Sequence, residues 1–147
     1  MITATKEFRF EAAHRLPRHL GQCSNIHGHS YRVVVTVSEK MDAPPKPPES
    51  EDMVMDFQDL GSIVNGILGE WDHSIILQET DSLVDVLNGY RDSGEDIKIV
   101  TIHGPPTAEN MAELLAIRML PAIEADHCYL EEVQVWETAK CHARWKR

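Results

Sequence analysis

Residues 23–39 read Cys23-Ser24-Asn25-Ile26-His27-Gly28-His29-Ser30-Tyr31-Arg32-Val33-Val34-Val35-Thr36-Val37-Ser38-Glu39, and the rest of the chain is arranged around them. Tyr31, Val33, Val35 and Val37 recur at every second position, the pattern of a strand with one face buried, which we place from about His29 to Glu39. His27 and His29 are two residues apart, so on an extended chain they project to the same face, about 6.5–7 Å apart at Cα. Two imidazoles so placed can grip one metal ion. A bare His-x-His is weak by itself, because histidines that merely end a strand look the same. A third histidine strengthens it. His14 closes Phe8-x-Phe10-x-Ala12-x-His14, on a strand we place over residues 3–14. If the two strands pair antiparallel, His14 meets His27 and His29 at one end of the hairpin. Arg15 to Ile26 holds Pro17, Gly21, Ser24 and Asn25, which suit an irregular connection.

Further along, Asp42 to Asp52 is rich in proline and acid (Ala43-Pro44-Pro45-Lys46-Pro47-Pro48) and reads as an exposed loop. Asp56 suits a helix N-cap, and Phe57, Leu60, Ile63, Val64, Ile67, Leu68 and Trp71 then recur at helical spacing. The stretch from Ser74 to His103 is less regular: a short helix around Ser82–Leu87, then a short buried strand at Ile97–Ile102 broken by Gly104-Pro105-Pro106. Thr107 caps a second long helix, whose inner side is Met111, Leu114, Leu115, Arg118 and Met119, and Pro121 ends or kinks it. A strand from Leu130 to about Thr138 and a last strand or tail through Cys141, Ala143 and Trp145 complete the chain. The order predicts one α+β domain over residues 1–147, with helices covering one face of an antiparallel sheet.

Composition sets bounds on function. Hydrophobic residues make up 42% and charged residues 26% of 147, as in a soluble globular domain. A formal net charge of −10 argues against non-specific binding to nucleic acid or to an anionic membrane. An anionic substrate can still be met by a local basic patch, and Arg15-Leu16-Pro17-Arg18-His19 is the densest before the C-terminal tail. No apolar run approaches the ~18 residues of a membrane span, and no signal-peptide core precedes the first strand. Three cysteines without framework spacing argue against a disulfide scaffold. These features predict a cytoplasmic location.

Three neutral imidazoles with an open fourth position describe a catalytic zinc site, whereas structural sites fill all four and favour cysteine. Cys23 is open to two readings, a fourth ligand or a free thiol acidified by a neighbouring cation. Asp72-His73 suits a dyad in which a carboxylate supports a proton-moving imidazole, or simply a charged helix end. Glu137 shares a strand face with Val133 and Val135, so a carboxylate falls on the side that should be buried and needs a partner. Glu109 lies in the first turn of its helix, favourable for the helix dipole on either reading. No His-Glu-x-x-His is present, which sets metalloprotease chemistry aside.

Phe10-Glu11-Ala12-Ala13-His14-Arg15-Leu16, Cys23-x-x-x-His27-Gly28-His29, Met53-Val54-Met55-Asp56-Phe57, Asp72-His73, Pro106-Thr107-Ala108-Glu109-Asn110 and Glu137-Thr138 occur in an order that resembles the 6-pyruvoyl-tetrahydropterin synthase superfamily. The likeness runs from residue 8 to 138. It is strongest to the bacterial branch, the 6-carboxy-5,6,7,8-tetrahydropterin synthases of 7-deazapurine (queuosine precursor) biosynthesis. The resemblance implies a tunnelling fold: a four-stranded antiparallel sheet with two helices on one face, closed by three subunits into a barrel and stacked as a homohexamer, with active sites between subunits. It implies Zn2+ on His14, His27 and His29, catalysis by Cys23, Asp72 and His73, a pterin anchored by Glu137, and a pocket lined by Thr107 and Glu109. On this reading Cys23 is a base and not a ligand. The implied substrate is a pterin triphosphate, 7,8-dihydroneopterin triphosphate. Its side chain is cleaved to acetaldehyde in the carboxy branch and retained in the pyruvoyl branch. A non-catalytic zinc-binding assembly subunit is the alternative of a different class, and Cys23, Asp72, His73 and Glu137 together speak against it.

Overall fold

The two histidine-bearing strands pair as a long antiparallel hairpin in the computed structural model, which describes residues 2–124 and 127–147. Strand β1 spans Thr3–His14 and β2 spans His27–Glu39, in register from Thr3 opposite Ser38 to His14 opposite His27. Phe8, Phe10, Ala12 and His14 of β1 and Tyr31, Val33, Val35 and Val37 of β2 all turn to the buried side. Each large apolar side chain buried there contributes roughly 1.5–3 kcal/mol. A one-residue slip would turn every one of them to solvent, so the apolar alternation fixes the register. The histidines are held by that same register.

Helix α1 (Phe57–Trp71) starts at Asp56, whose carboxylate accepts the Gln58 N–H at 2.6 Å, and it buries Leu60, Val64, Leu68 and Trp71. After it come β3 (Ser74–Gln78), α2 (Leu83–Asp92) and β4 (Ile99–Ile102). Helix α3 (Ala108–Ile123) starts at Thr107, whose hydroxyl accepts the Asn110 N–H at 3.3 Å. Its buried side includes Met111, Leu115, Met119 and Ile123, and Pro121 falls in the last turn, where the helix is about to end. Strands β5 (Cys128–Trp136) and β6 (His142–Lys146) follow. α1 lies against β1, α3 against β5 and β6, and the two helices touch. They cover the buried face, as the apolar patterns predict.

The expected four-stranded antiparallel sheet needs correcting. Among the described residues the sheet has six strands in the order β4-β3-β1-β2-β5-β6, and β3 and β4 join beyond β1 in parallel. A third helix, α2, packs against β4 and occupies a longer span than the short helix expected near Ser82–Leu87. β4 is the outer strand, with Ile99 and Val100 half-buried and Thr101 exposed, so it is not the strand buried on both faces that its apolar run predicts. β3 pairs with β1 only at Ala12–His14, so among the described residues no strand lies beside that edge of β1 from Thr3 to Glu11. The proline-rich loop is tethered: Lys46 Nζ donates to Glu39 and to the Met53 carbonyl, each at 2.7 Å. Among the described residues no helix is long and apolar enough to cross a membrane.

Candidate metal centre and active site

His14, His27 and His29 form one cluster, with ligating atoms all within 4.8 Å of one another. The hairpin builds it directly, since His14 faces His27 across the ladder and Ala12 faces His29. Gly28 between them lets the strands close, because a Cβ there would stand 3.2 Å from the Ala12 carbonyl oxygen. His14 Nδ1 donates to the Pro106 carbonyl at 2.7 Å and His27 Nδ1 to the Asn25 carbonyl at 2.9 Å. Both protons are thereby placed on Nδ1, leaving two bare Nε2 atoms 3.1 Å apart. Facing lone pairs repel unless a cation lies between them. Tetrahedral zinc with Zn–N of 2.0–2.1 Å separates its nitrogens by about 3.3 Å, so the residues fit that ion. Burial holds His14 neutral down to about 4, helped by its two histidine neighbours and opposed by the Pro106 bond. His29 is lowered too, first by burial, with the Glu137 charge opposing. Neutral imidazole is the form that ligates.

The Pro106 carbonyl is aimed by the turn before α3. Gly104 sits at φ +82, and Asn110 Nδ2 donates to the carbonyls of His103 and Pro105 at 2.9 and 3.0 Å. A Cβ on Gly104 would meet that amide nitrogen at 2.7 Å, so both φ and space require glycine. Thr107, half-buried one residue further on, is tied up as the cap of α3. Glu109 is exposed in the first turn.

Glu137, just past β5, does turn inward: its carboxylate is 4.0 Å from His14 Nε2, with its side chain 26% exposed. Arg32 pairs with Trp136, so the next rung sets Glu137 opposite Tyr31. Tyr31 is fully buried, stacks on Phe10 at 4.8 Å and meets the rings of His14 and His29 edge-on. Among the described residues its hydroxyl has no hydrogen-bond partner. Burial, and then the Glu137 charge, raise its pKa far above the ordinary value.

Asp72 and His73 do form a dyad, with His73 Nδ1 2.9 Å from the carboxylate. The other carboxylate oxygen accepts the Glu11 N–H at 2.8 Å, and the His73 N–H donates to the Glu11 carbonyl at 2.7 Å. The Glu11 bond, ahead of His73, lowers the Asp72 pKa. His73 holds φ +56, left-handed backbone that favours glycine, and its imidazole is 78% exposed. An open cavity of about 370 Å³, which Ala12, His29 and Ser74 also border, is lined by His73 together with Glu11, Ala13, Gly28 and Ser30. These residues alternate with His14, Ala12 and His29, so dyad and trio occupy opposite faces of one sheet. Among the described residues, the cluster of ligating atoms includes neither Asp72 nor His73.

Cys23 is a half-buried free thiol on a single 3-10 turn, Gln22–Ser24, outside the cluster of ligating atoms. Arg15 corrects the sequence reading. Its Nε and Nη2 grip the Asp81 carboxylate at 2.8 and 2.5 Å, so that edge is not available to a phosphate. Arg18 and His19 are exposed, and His19 Nδ1 accepts the Gly21 N–H. Asp81 and the Tyr31 hydroxyl escaped the sequence reading. Asp81 had one local signal, its place two residues before the apolar start of α2, where it accepts the Leu83 N–H.

The sequence profile described as "6-pyruvoyl tetrahydropterin synthase" matches residues 3–147. A 6-carboxy-5,6,7,8-tetrahydropterin synthase of Aquifex aeolicus is 30% identical over 161 aligned positions, covering 97% of this chain and 96% of its own. One of Haemophilus influenzae is 32% identical, covering 94% of each. Among solved structures, an uncharacterized protein of Wolinella succinogenes superposes with a TM-score of 0.75 at 24% identity, over 99% of this chain and 98% of its own. The Caenorhabditis elegans 6-pyruvoyl tetrahydropterin synthase gives 0.69 at 23%, over 99% and 95%. These likenesses concern the fold.

Proposed function

The chain belongs to the 6-pyruvoyl tetrahydropterin synthase family, and on that premise we propose that it is a zinc-dependent lyase acting on 7,8-dihydroneopterin triphosphate. With water, the products are 6-carboxy-5,6,7,8-tetrahydropterin, acetaldehyde and triphosphate, a step towards 7-deazapurines in the cytoplasm. The observation that carries this reading is the pair of bare Nε2 atoms 3.1 Å apart, each ring fixed by a carbonyl at its other nitrogen. Relatives named for the 6-carboxy product favour it over the pyruvoyl one.

His14, His27 and His29 would hold the zinc, which when bound would supply Lewis-acid polarisation of the substrate's side-chain oxygens and so a more acidic adjoining C–H. Glu137 accepts two parallel N–H bonds from the pterin's guanidine-like edge, with Thr107 and Glu109 beside the pocket. Cys23, as thiolate, takes one proton. A second proton moves through His73, kept in its tautomer by Asp72, and His73 must come from another chain because its own faces the other side of the sheet. The two open edges support such an assembly. β6 of one subunit can extend the ladder along the Thr3–Phe10 edge of the next, closing a trimer, and two trimers stack as a hexamer.

Product analysis with dihydroneopterin triphosphate, by mass spectrometry with an acetaldehyde assay, tests the reaction. Triphosphate released without acetaldehyde moves the enzyme to the pyruvoyl branch, and neither product removes the proposal. Undiminished zinc in a His27→Ala/His29→Ala variant removes the metal assignment.

A further inference from the structure

The loop that carries Cys23 has few attachments. Among the described residues, its hydrogen bonds to the body of the protein are the Arg15–Asp81 pair at its start and the His27–Asn25 bond at its end. Its other bonds run within it: the Leu16 N–H to the Cys23 carbonyl at 2.8 Å, the His19 N–H to Leu16, the Gly21 N–H to His19 Nδ1, and the N–H and side-chain donors of Ser24 and Asn25 to the carbonyls of Gly21 and Gln22. Leu20 at its tip is wholly exposed. The loop has no apolar anchor there. What fixes the thiol is therefore a short relay: Asp81 holds Arg15, the adjoining Leu16 holds the Cys23 carbonyl, and Cys23 follows.

Asp81 is built to hold. Its side chain is fully buried, and its two oxygens accept Arg15 Nε, Arg15 Nη2 and the Leu83 N–H. The planar fork of arginine on a carboxylate fixes orientation as well as distance. Burying such a pair contributes little to stability compared with apolar side chains of the same volume, so a purely structural tie has no need of it. The placement is also particular. Arg15 directly follows the ligand His14, while Asp81 follows β3, the strand that begins one residue after His73.

We propose that Asp81 is a positioning residue for Cys23, fixing through Arg15 and Leu16 where the thiol stands relative to the histidine trio. The proposal rests on the role given to Cys23 above. It assigns to Asp81 no contact with substrate or metal.

The test uses Asp81→Asn, Asp81→Glu and a charge-free pair, Arg15→Met/Asp81→Leu, in the full-length protein. Zinc content, assembly size, kcat and KM are measured. So is the rate of Cys23 alkylation by iodoacetamide, read by peptide mass spectrometry against exposed Cys141 and buried Cys128 in the same sample. The expected result is retained zinc and assembly, a kcat lowered by about 10- to 100-fold with KM little changed, as a misplacement near 1 Å produces, and a Cys23 alkylation rate altered several-fold while Cys141 is unmoved. Parental kcat and alkylation in any variant that keeps its zinc overturns the proposal. Loss of zinc and assembly in all three also overturns it, because Asp81 then holds the fold and not the thiol. Cys23→Ala separates the two levels. If that variant turns over normally, the function given to Cys23 fails, while the alkylation rates still decide whether Asp81 positions it.

Discussion

Replacing His73 by glycine should make the protein more stable and less active. His73 holds φ +56 at the residue after the α1 cap, where a helix commonly ends on glycine. For an L-residue the left-handed conformation costs roughly 1–2 kcal/mol. Glycine removes that cost but adds about 0.5–1 kcal/mol of unfolded-chain freedom. The contact of His73 with the Asp72 carboxylate is exposed and contributes little. The two bonds with Glu11, from the His73 N–H to its carbonyl and from its own N–H to the Asp72 carboxylate, survive the change. The net expectation is a gain of about 0.5–1 kcal/mol. Alanine at the same place is the control, since it removes the imidazole and keeps the strain. Denaturant midpoints at one protein concentration should therefore rank glycine above alanine by about 1 kcal/mol. Both variants should lose turnover by about 10²–10⁴-fold if His73 moves a proton. Equal stability of the two variants would refute the strain argument, and a fully active glycine variant would refute the dyad.

Tyr31→Phe removes a buried hydroxyl that has no partner among the described residues, and should raise the stability of the ligand-free protein by about 1 kcal/mol; a loss in denaturant titration would mean the hydroxyl is bonded. Glu137→Gln places a donor where two acceptors are needed and should weaken pterin binding by about 1.5–3 kcal/mol, read by fluorescence titration. Gly28→Ala puts a Cβ 3.2 Å from the Ala12 carbonyl, between two ligands, so the hairpin must spread; expect about 1 kcal/mol less stability and faster zinc loss to a chelator. Arg15 holds the Asp81 carboxyl below its ordinary 3.8, so the unfolded chain takes up that proton first. The stability this supplies is whole above that value and is lost as the pH falls below it, and Asp81→Asn should flatten that acid limb.

Much of the site was legible because it follows a strict period. His27 and His29 two apart, and His14 in phase with Phe8, Phe10 and Ala12, needed only one antiparallel pairing to converge. Asp56 and Thr107 announced their helices by cap chemistry that the backbone obeys locally. β3 was not legible, because a strand buried in a parallel pair loses its alternation: Ser74, Ile75, Ile76 and Leu77 are all buried, which by pattern alone could belong to a helix. The engagement of Arg15 was hidden for another reason. Its partner lies 66 residues away, and no local rule reports that a carboxylate after a short parallel strand will be buried beneath it. Read without that partner, a basic cluster beside a metal ligand looks like a phosphate site.

The placement of trio and dyad on opposite faces of one sheet has a consequence for inheritance. On the assembly proposed above, each subunit would contribute the metal half of one site and the dyad half of another. A cell carrying two defective alleles, one lacking His27 and one lacking His73, can then assemble mixed particles in which some sites draw both halves from the intact regions of different chains. Neither allele alone would support growth that depends on the product, yet the pair would do so in part. Two alleles damaged in the same half would not. The pattern of rescue among such pairs would sort residues by the face they serve.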